Sequence, residues 1–286
     1  TCTHDYLLFF TNKGRVYAIK GYMIPEASRT AKGLPLVNIL SFQEDEKLAA
    51  ITKVPSLEDD NSYLFFATKK GTVKRTIVSQ FKNIRASGII AINLAENDEL
   101  LQVEVTDGKR DIVLGSSRGK AIRFHEAEVR AIGRSAAGVK GIDLQKTDFL
   151  VGMAVVTEEQ NEILVVTEQG FGKRSNVDEY RLQGRGGMGV KAFNVTGKNG
   201  RLVALRSVSV NNDLIITTDR GVIIRMHVDK ISLAGRNTQG VILIKLKDKQ
   251  EIANIAIVDR QMDEEEEINL EEVAEPERLE TSTIEE

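Results

Sequence analysis

Arginines recur in this 286-residue chain at fixed distances from glycines, and that recurrence is where its chemistry lies. Five glycines, Gly14, Gly71, Gly119, Gly170 and Gly221, are spaced by 57, 48, 51 and 51 residues. Fifteen residues after four of them stand Arg29, Arg134, Arg185 and Arg236, and Arg85 comes one place early in the second unit. Each of these arginines lies in a loop of small residues that ends at a second glycine: SRTAKG, NIRASG, GRSAAG, QGRGGMG and GRNTQG. Small residues let a backbone approach a ligand closely, and a guanidinium offers phosphate oxygens a planar fork of donors. Lys32, just before its second glycine, and Lys140 and Lys191, two residues after theirs, add charge to the same loops. Repeated five times on one rim, they would form a basic track suited to a bent polyanion. The competing reading is that the loop arginines bond carbonyls of a neighbouring repeat.

A second arginine set, Arg75, Arg123, Arg174 and Arg225, falls four residues after the turn glycines, with Ala18 there in the first unit. These share a strand face with Val73, Ala121, Gly172 and Ile223. They are expected either to contact the polyanion or to lay their stems on that face and bond between repeats. Catalytic chemistry has less support. His4, His125 and His227 lie in different repeats without metal-ligand spacing, and Cys2 alone builds neither a zinc site nor a disulfide. No G-x-x-x-x-G-K-[ST] phosphate loop is present, and the five tyrosines sit in or beside strand patterns. The expectation is a non-catalytic domain with no metal, cofactor or small-molecule substrate.

The elements that must carry these loops are short strands. Apolar runs at residues 6–10, 63–67, 112–114, 163–166 and 214–216 each precede a turn glycine, which marks a tight hairpin. A second strand runs on from that glycine, and a third follows the second glycine with apolar residues at plus one, plus four and plus six. The fourth is residues 48–54, 100–105, 150–156, 202–208 and 252–258. Ten residues after each turn glycine comes an apolar anchor: Ile24, Phe81, Val129, Tyr180 and Ile231. Four strands per fifty residues predicts an all-β propeller-like array. Its five repeats cover about 3–60, 61–108, 109–159, 160–210 and 211–258. No twelve-residue amphipathic stretch supports helices, and no apolar run approaches a membrane span.

The formal net charge of −3 hides an asymmetry. Residues 259–286 hold 13 Asp/Glu and 2 Arg, a net of −11, which leaves 29 acids and 37 Lys/Arg, a net of +8, in residues 1–258. A basic body beside an acidic tail raises the expectation of a polyanionic partner, and the tail itself reads as disordered. The start at Thr1 suggests a fragment, whose first repeat is expected to show an unpaired strand edge.

Residues 14–40 (GRVYAIKGYMIPEASRTAKGLPLVNIL), 129–144 (VRAIGRSAAGVKGIDL) and 235–244 (GRNTQGVILI) closely resemble the C-terminal domain of the bacterial DNA gyrase A protein. The resemblance covers residues 1–258, and an acidic tail is also seen in that family. It implies a β-pinwheel, normally of six blades that exchange strands, which binds and wraps duplex DNA around its rim. It further implies membership of a cytoplasmic, nucleoid-associated A2B2 holoenzyme together with the gyrase B protein. That holoenzyme uses ATP to introduce negative supercoils; its catalytic tyrosine and ATP site lie in other regions. The family's Q-[RK]-R-G-G-[RK]-G signature belongs to a first blade that five repeats do not include. The nearest string is QGRGGMG at residues 183–189, with Gly184 and Met188 where the signature has basic residues. The alternatives are the corresponding C-terminal domain of topoisomerase IV and a propeller-type protein-interaction scaffold.

Overall fold

The computed structural model describes residues 2–28, 30–247 and 250–260. Arg29 and residues 261–286, most of the acidic tail, lie outside the described residues. Each repeat opens with a hairpin. The first strands are Tyr6–Thr11, Tyr63–Thr68, Asp111–Ser116, Glu162–Thr167 and Asn212–Thr218. The second are Arg15–Lys20, Thr72–Ile77, Lys120–His125, Phe171–Asn176 and Ile223–His227. Between them the turn glycines have φ of 77° to 81°, a left-handed conformation that costs glycine nothing.

Three residues before each glycine stands a hydroxyl residue: Thr11, Thr68, Ser116, Thr167 or Thr218. Its side-chain oxygen accepts the N–H of the residue after the glycine, for example Thr72 on Thr68 at 3.1 Å and Val222 on Thr218 at 3.1 Å. Its carbonyl accepts the glycine's own N–H, as Thr11 does from Gly14 at 2.9 Å.

The fourth strands are Leu48–Val54, Leu100–Thr106, Leu150–Val156, Leu202–Val208 and Ile252–Asp259. Each pairs antiparallel with the first strand of its own repeat, with a register shift at the hydroxyl end. The last runs to Asp259, paired with Asn212, one residue past the expected end of the fifth repeat. Fourth strands of successive repeats converge, and those of repeats two to five line a central cavity of about 600 Å³. Gln102 lines it, donating to Glu104 of its own strand at 2.8 Å and to the Met153 carbonyl of the next fourth strand at 2.9 Å.

The third strands are only two residues long: Ile89–Ile90, Val139–Lys140, Val190–Lys191 and Val241–Ile242. Each pairs with the second strand of the preceding repeat, as Val139 with Val73 and Lys140 with Thr72. The fold is thus five blades that exchange their outer strands. Apolar residues at plus four, such as Ile92, Ile142 and Phe193, then drop into the core of the preceding blade. The plus-ten anchors Phe81, Val129, Tyr180 and Ile231 are likewise buried, but Ile24 is exposed.

Strand exchange corrects one expectation. Among the described residues the first blade has four strands and the fifth three, and the fifth blade's open edge is Ile223–His227, with Ile223 66% exposed. A Cβ added to Gly14, Gly119 or Gly170 would stand 2.5 to 2.6 Å from a carbonyl of the incoming strand, whereas one at Gly221 would meet nothing within 4 Å.

Candidate nucleic-acid interface

The exchanged strands place the loop arginines. Each loop comes just before a third strand and therefore leans on the blade upstream. Arg134 Nη1 donates to the Ile90 carbonyl at 3.0 Å, Arg185 Nη1 to that of Lys140 at 3.1 Å, and Arg236 Nη1 to that of Lys191 at 2.8 Å. The acceptor is always the plus-two residue of the previous repeat's third strand. The competing reading of these arginines, carbonyl bonding across repeats, therefore describes their geometry. It leaves them half-buried with guanidinium N–H groups still facing water, since one or two carbonyls occupy a five-donor fork.

Carboxylates fix the loop backbones. The N–H of Arg185 donates to Glu128 Oε2 at 2.9 Å, and that of Arg236 to Glu179 Oε2 at 2.7 Å. Because Arg185 and Arg236 hold the backbone carbonyls of Lys140 and Lys191, each guanidinium has an exposed lysine of the previous repeat as its neighbour. Lys140 also meets Asp143 at 2.8 Å. Lys32 and Arg85 are exposed on their loops.

The plus-four arginines do something else. Arg123 meets Asp111 at 2.8 Å and donates to the Val177 carbonyl at 3.0 Å. Arg174 meets Glu162 at 2.6 Å and donates to the carbonyls of Ile231 at 2.9 Å and Asp229 at 3.1 Å. Arg75 lies 3.5 Å from Glu126, its guanidinium 4.6 Å above the Tyr63 ring. The following repeat also bridges their backbones, at Ala131, Leu182 and Leu233. These side chains join blades. Arg225, on the open edge, pairs with Asp213 at 2.5 Å and has a 48% exposed side chain. The histidines are local too: His125 accepts the Ala127 N–H at 3.1 Å, and His227 lies 2.7 Å from Asp213.

Two residues beneath the loops went unnoticed in the sequence. Lys74 and Lys173, at plus three in the second and fourth repeats, are fully buried. Burial pushes Lys74 down to about 7, helped by the nearby Arg134 charge. Burial takes Lys173 to about 8, with Glu179 opposing the fall and Arg236 adding to it. Their signal was available: a lysine at the same place in two repeats, where the others have Tyr17, Ile122 and Ile224.

The family described as DNA gyrase C-terminal domain, beta-propeller, matches residues 5–55, 62–107, 110–157, 161–209 and 212–259, one segment per repeat. The chain belongs to that family. A curated relative, the DNA gyrase A protein of Staphylococcus epidermidis, is 48% identical over 262 residues, covering 91% of this chain and 29% of its own length. The chain thus spans about three tenths of the curated relatives it matches. Among solved structures, a C-terminal domain of DNA topoisomerase IV aligns with a TM-score of 0.82 at 27% identity, covering 96% of this chain and 85% of that one. A DNA gyrase A C-terminal domain aligns with a TM-score of 0.77 at 26% identity, covering 90% and 83%. Members of the gyrase C-terminal family thus share with this chain the blade array that sets its arginine loops.

Proposed function

We propose that this chain is the DNA-binding and DNA-wrapping part of a gyrase A protein, gripping duplex DNA by its phosphates along the rim of the blades. The observation that carries the reading is the identical aim of Arg134, Arg185 and Arg236, each held on the carbonyl of the previous repeat's plus-two residue. Three guanidiniums set by one repeat operation present donors at regular intervals along the array. A duplex backbone, itself regular, can meet all of them, whereas a compact ligand cannot. Lys32, Arg85, Lys140 and Lys191 extend the track, and Arg29 belongs to it by repeat position. The net +8 of residues 1–258 supplies the attraction.

In this reading the domain is non-catalytic and uses no cofactor. It acts in a cytoplasmic A2B2 assembly with the gyrase B protein, whose ATP-driven strand passage turns the wrap into negative supercoils. The match to the gyrase C-terminal family and the 48% identity to a gyrase A protein favour gyrase; the solved topoisomerase IV and gyrase domains, at 27% and 26% identity, do not separate the two. Binding that neutralises phosphates releases counterions, so log K falls with log salt by about 0.9 per contact. Five loops with one contact each give a slope of roughly −4 to −5 for a duplex of any sequence. A gel-shift titration across salt measures it, and a flat response overturns the proposal.

A further inference from the structure

Lys74 and Lys173 sit three residues after their turn glycines, in alternate repeats, with no exposed surface. A buried ammonium needs acceptors close by, because leaving water is costly. Both find them in the backbone of the arginine loops. Lys74 Nζ donates to the Ala91 carbonyl at 2.6 Å and also to the carbonyl of Arg134 itself. Lys173 Nζ donates at 2.5 Å to the carbonyl of Gly235, the residue before Arg236. Beside it Ser175 Oγ donates to the Ala234 carbonyl at 2.7 Å. The rings of Phe66 and Phe193 lie 5.3 and 5.5 Å from the two ammoniums. The charged groups acting on them are Arg134 for Lys74, and Glu179 and Arg236 for Lys173. Among the described residues no buried lysine reaches the second or fourth loop: Arg15 Nη2 donates to the carbonyls of Ser87 at 2.7 Å and Gly88 at 3.0 Å, and Glu128 accepts the Arg185 N–H at 2.9 Å.

We propose, resting on the DNA-binding reading above, that Lys74 and Lys173 are positioning residues. They tie loops 133–138 and 235–240 to the blade so that Arg134 and Arg236 face phosphate, and the grip of these two loops weakens as the amines lose their protons. A protonated lysine gives a charge-assisted bond to the loop carbonyl and a positive charge beneath the rim; the neutral amine gives a weaker bond and no charge. With Lys74 near 7 and Lys173 near 8, the change falls between about pH 6 and about pH 9, where an ordinary lysine stays charged. Rising pH therefore loosens binding.

The test is fluorescence anisotropy of a labelled duplex of about 60 base pairs with the full 286-residue chain, at constant ionic strength across that range. Two charges, each acting with the strength of a surface ion pair, give a weakening of about threefold to tenfold. The double variant Lys74→Met, Lys173→Met should remove most of that dependence. Arg134→Ala with Arg236→Ala should remove the same part. Equal pH dependence in the wild type and the methionine variant overturns the proposal, as does wild-type binding that ignores pH. Absence of DNA binding at every pH sinks the DNA reading itself, a different result. Should the methionine variant fail to fold, NMR of lysine labelled at Cε decides. Two lysines of the wild type should titrate near pH 7 to 8. If no lysine titrates below about pH 9, the idea is wrong.

Discussion

At the scale of single residues, one side-chain type performs two tasks in this chain, and position relative to the turn glycine separates them. Each plus-four arginine faces a carboxylate of its own or the next blade, and Arg123 and Arg174 also donate to carbonyls of the following repeat. A loop arginine has one or two carbonyls and open water. Replacing Arg134, Arg185 and Arg236 by alanine should therefore reduce the salt slope of DNA binding by about 3, one unit per lost phosphate contact, and leave urea stability nearly unchanged. Arg123→Ala or Arg174→Ala strands a partly buried carboxylate, Asp111 or Glu162, and unpairs carbonyls between blades. Each should cost about 1–3 kcal/mol in urea unfolding before it touches DNA affinity. The reverse pattern would show that the two sets have exchanged roles. The sequence displayed both spacings but not this division, because what an arginine meets depends on how the next repeat folds over it. The buried lysines escaped for a related reason. The run Thr72–Ile77 is enclosed on both faces, so Lys74 and Arg75 are buried side by side, and alternation reports nothing.

At the scale of elements, hairpins and fourth strands were legible because their signals are local. Glycine at positive φ, an apolar run before it and a second run about thirty residues on are all visible in one dimension. The third strand was legible only as an apolar pattern. Its two paired residues carry no mark of which blade they join; resemblance to the gyrase family, and not periodicity, implied the exchange. The exchange can be weighed by a pair of substitutions. Gly119→Ala and Gly221→Ala impose the same strain, since φ is 81° and 77°. Both should lose about 1–2 kcal/mol from placing a Cβ in the left-handed region. At Gly119 the new methyl also meets the Phe193 carbonyl at 2.6 Å, while at Gly221 it meets open space. Gly119→Ala should therefore cost a further ~1–3 kcal/mol for overpacking against a backbone that cannot retreat. Equal losses in urea denaturation would mean that the incoming strand is held too loosely to matter.

At the scale of the whole molecule, repeats that lend strands to their neighbours form one interdependent body, so the rim track is only as continuous as the blades. Charge is organised on the same scale, and composition alone displayed it. Residues 261–286 carry 12 Asp/Glu and 1 Arg, a net of −11; the remaining 30 acids and 38 Lys/Arg leave a net of +8 on residues 1–260. A segment so acidic, tethered to a basic rim, is present at far higher effective concentration than any free polyanion and competes with DNA for the same guanidiniums. The competition is Coulombic between exposed groups, so it fades once the Debye length shrinks below the spacing of the charges. Ending the chain at Arg260 should thus tighten duplex binding several-fold at about 50 mM salt, and little at about 300 mM. The shortened chain should also show the steeper salt slope, because its low-salt affinity is no longer held down. Matched anisotropy titrations of the two chains at both salts measure this. Equal affinity at low salt would mean that the acidic residues never reach the rim, and that the track of Arg134, Arg185 and Arg236 is open to DNA from the start.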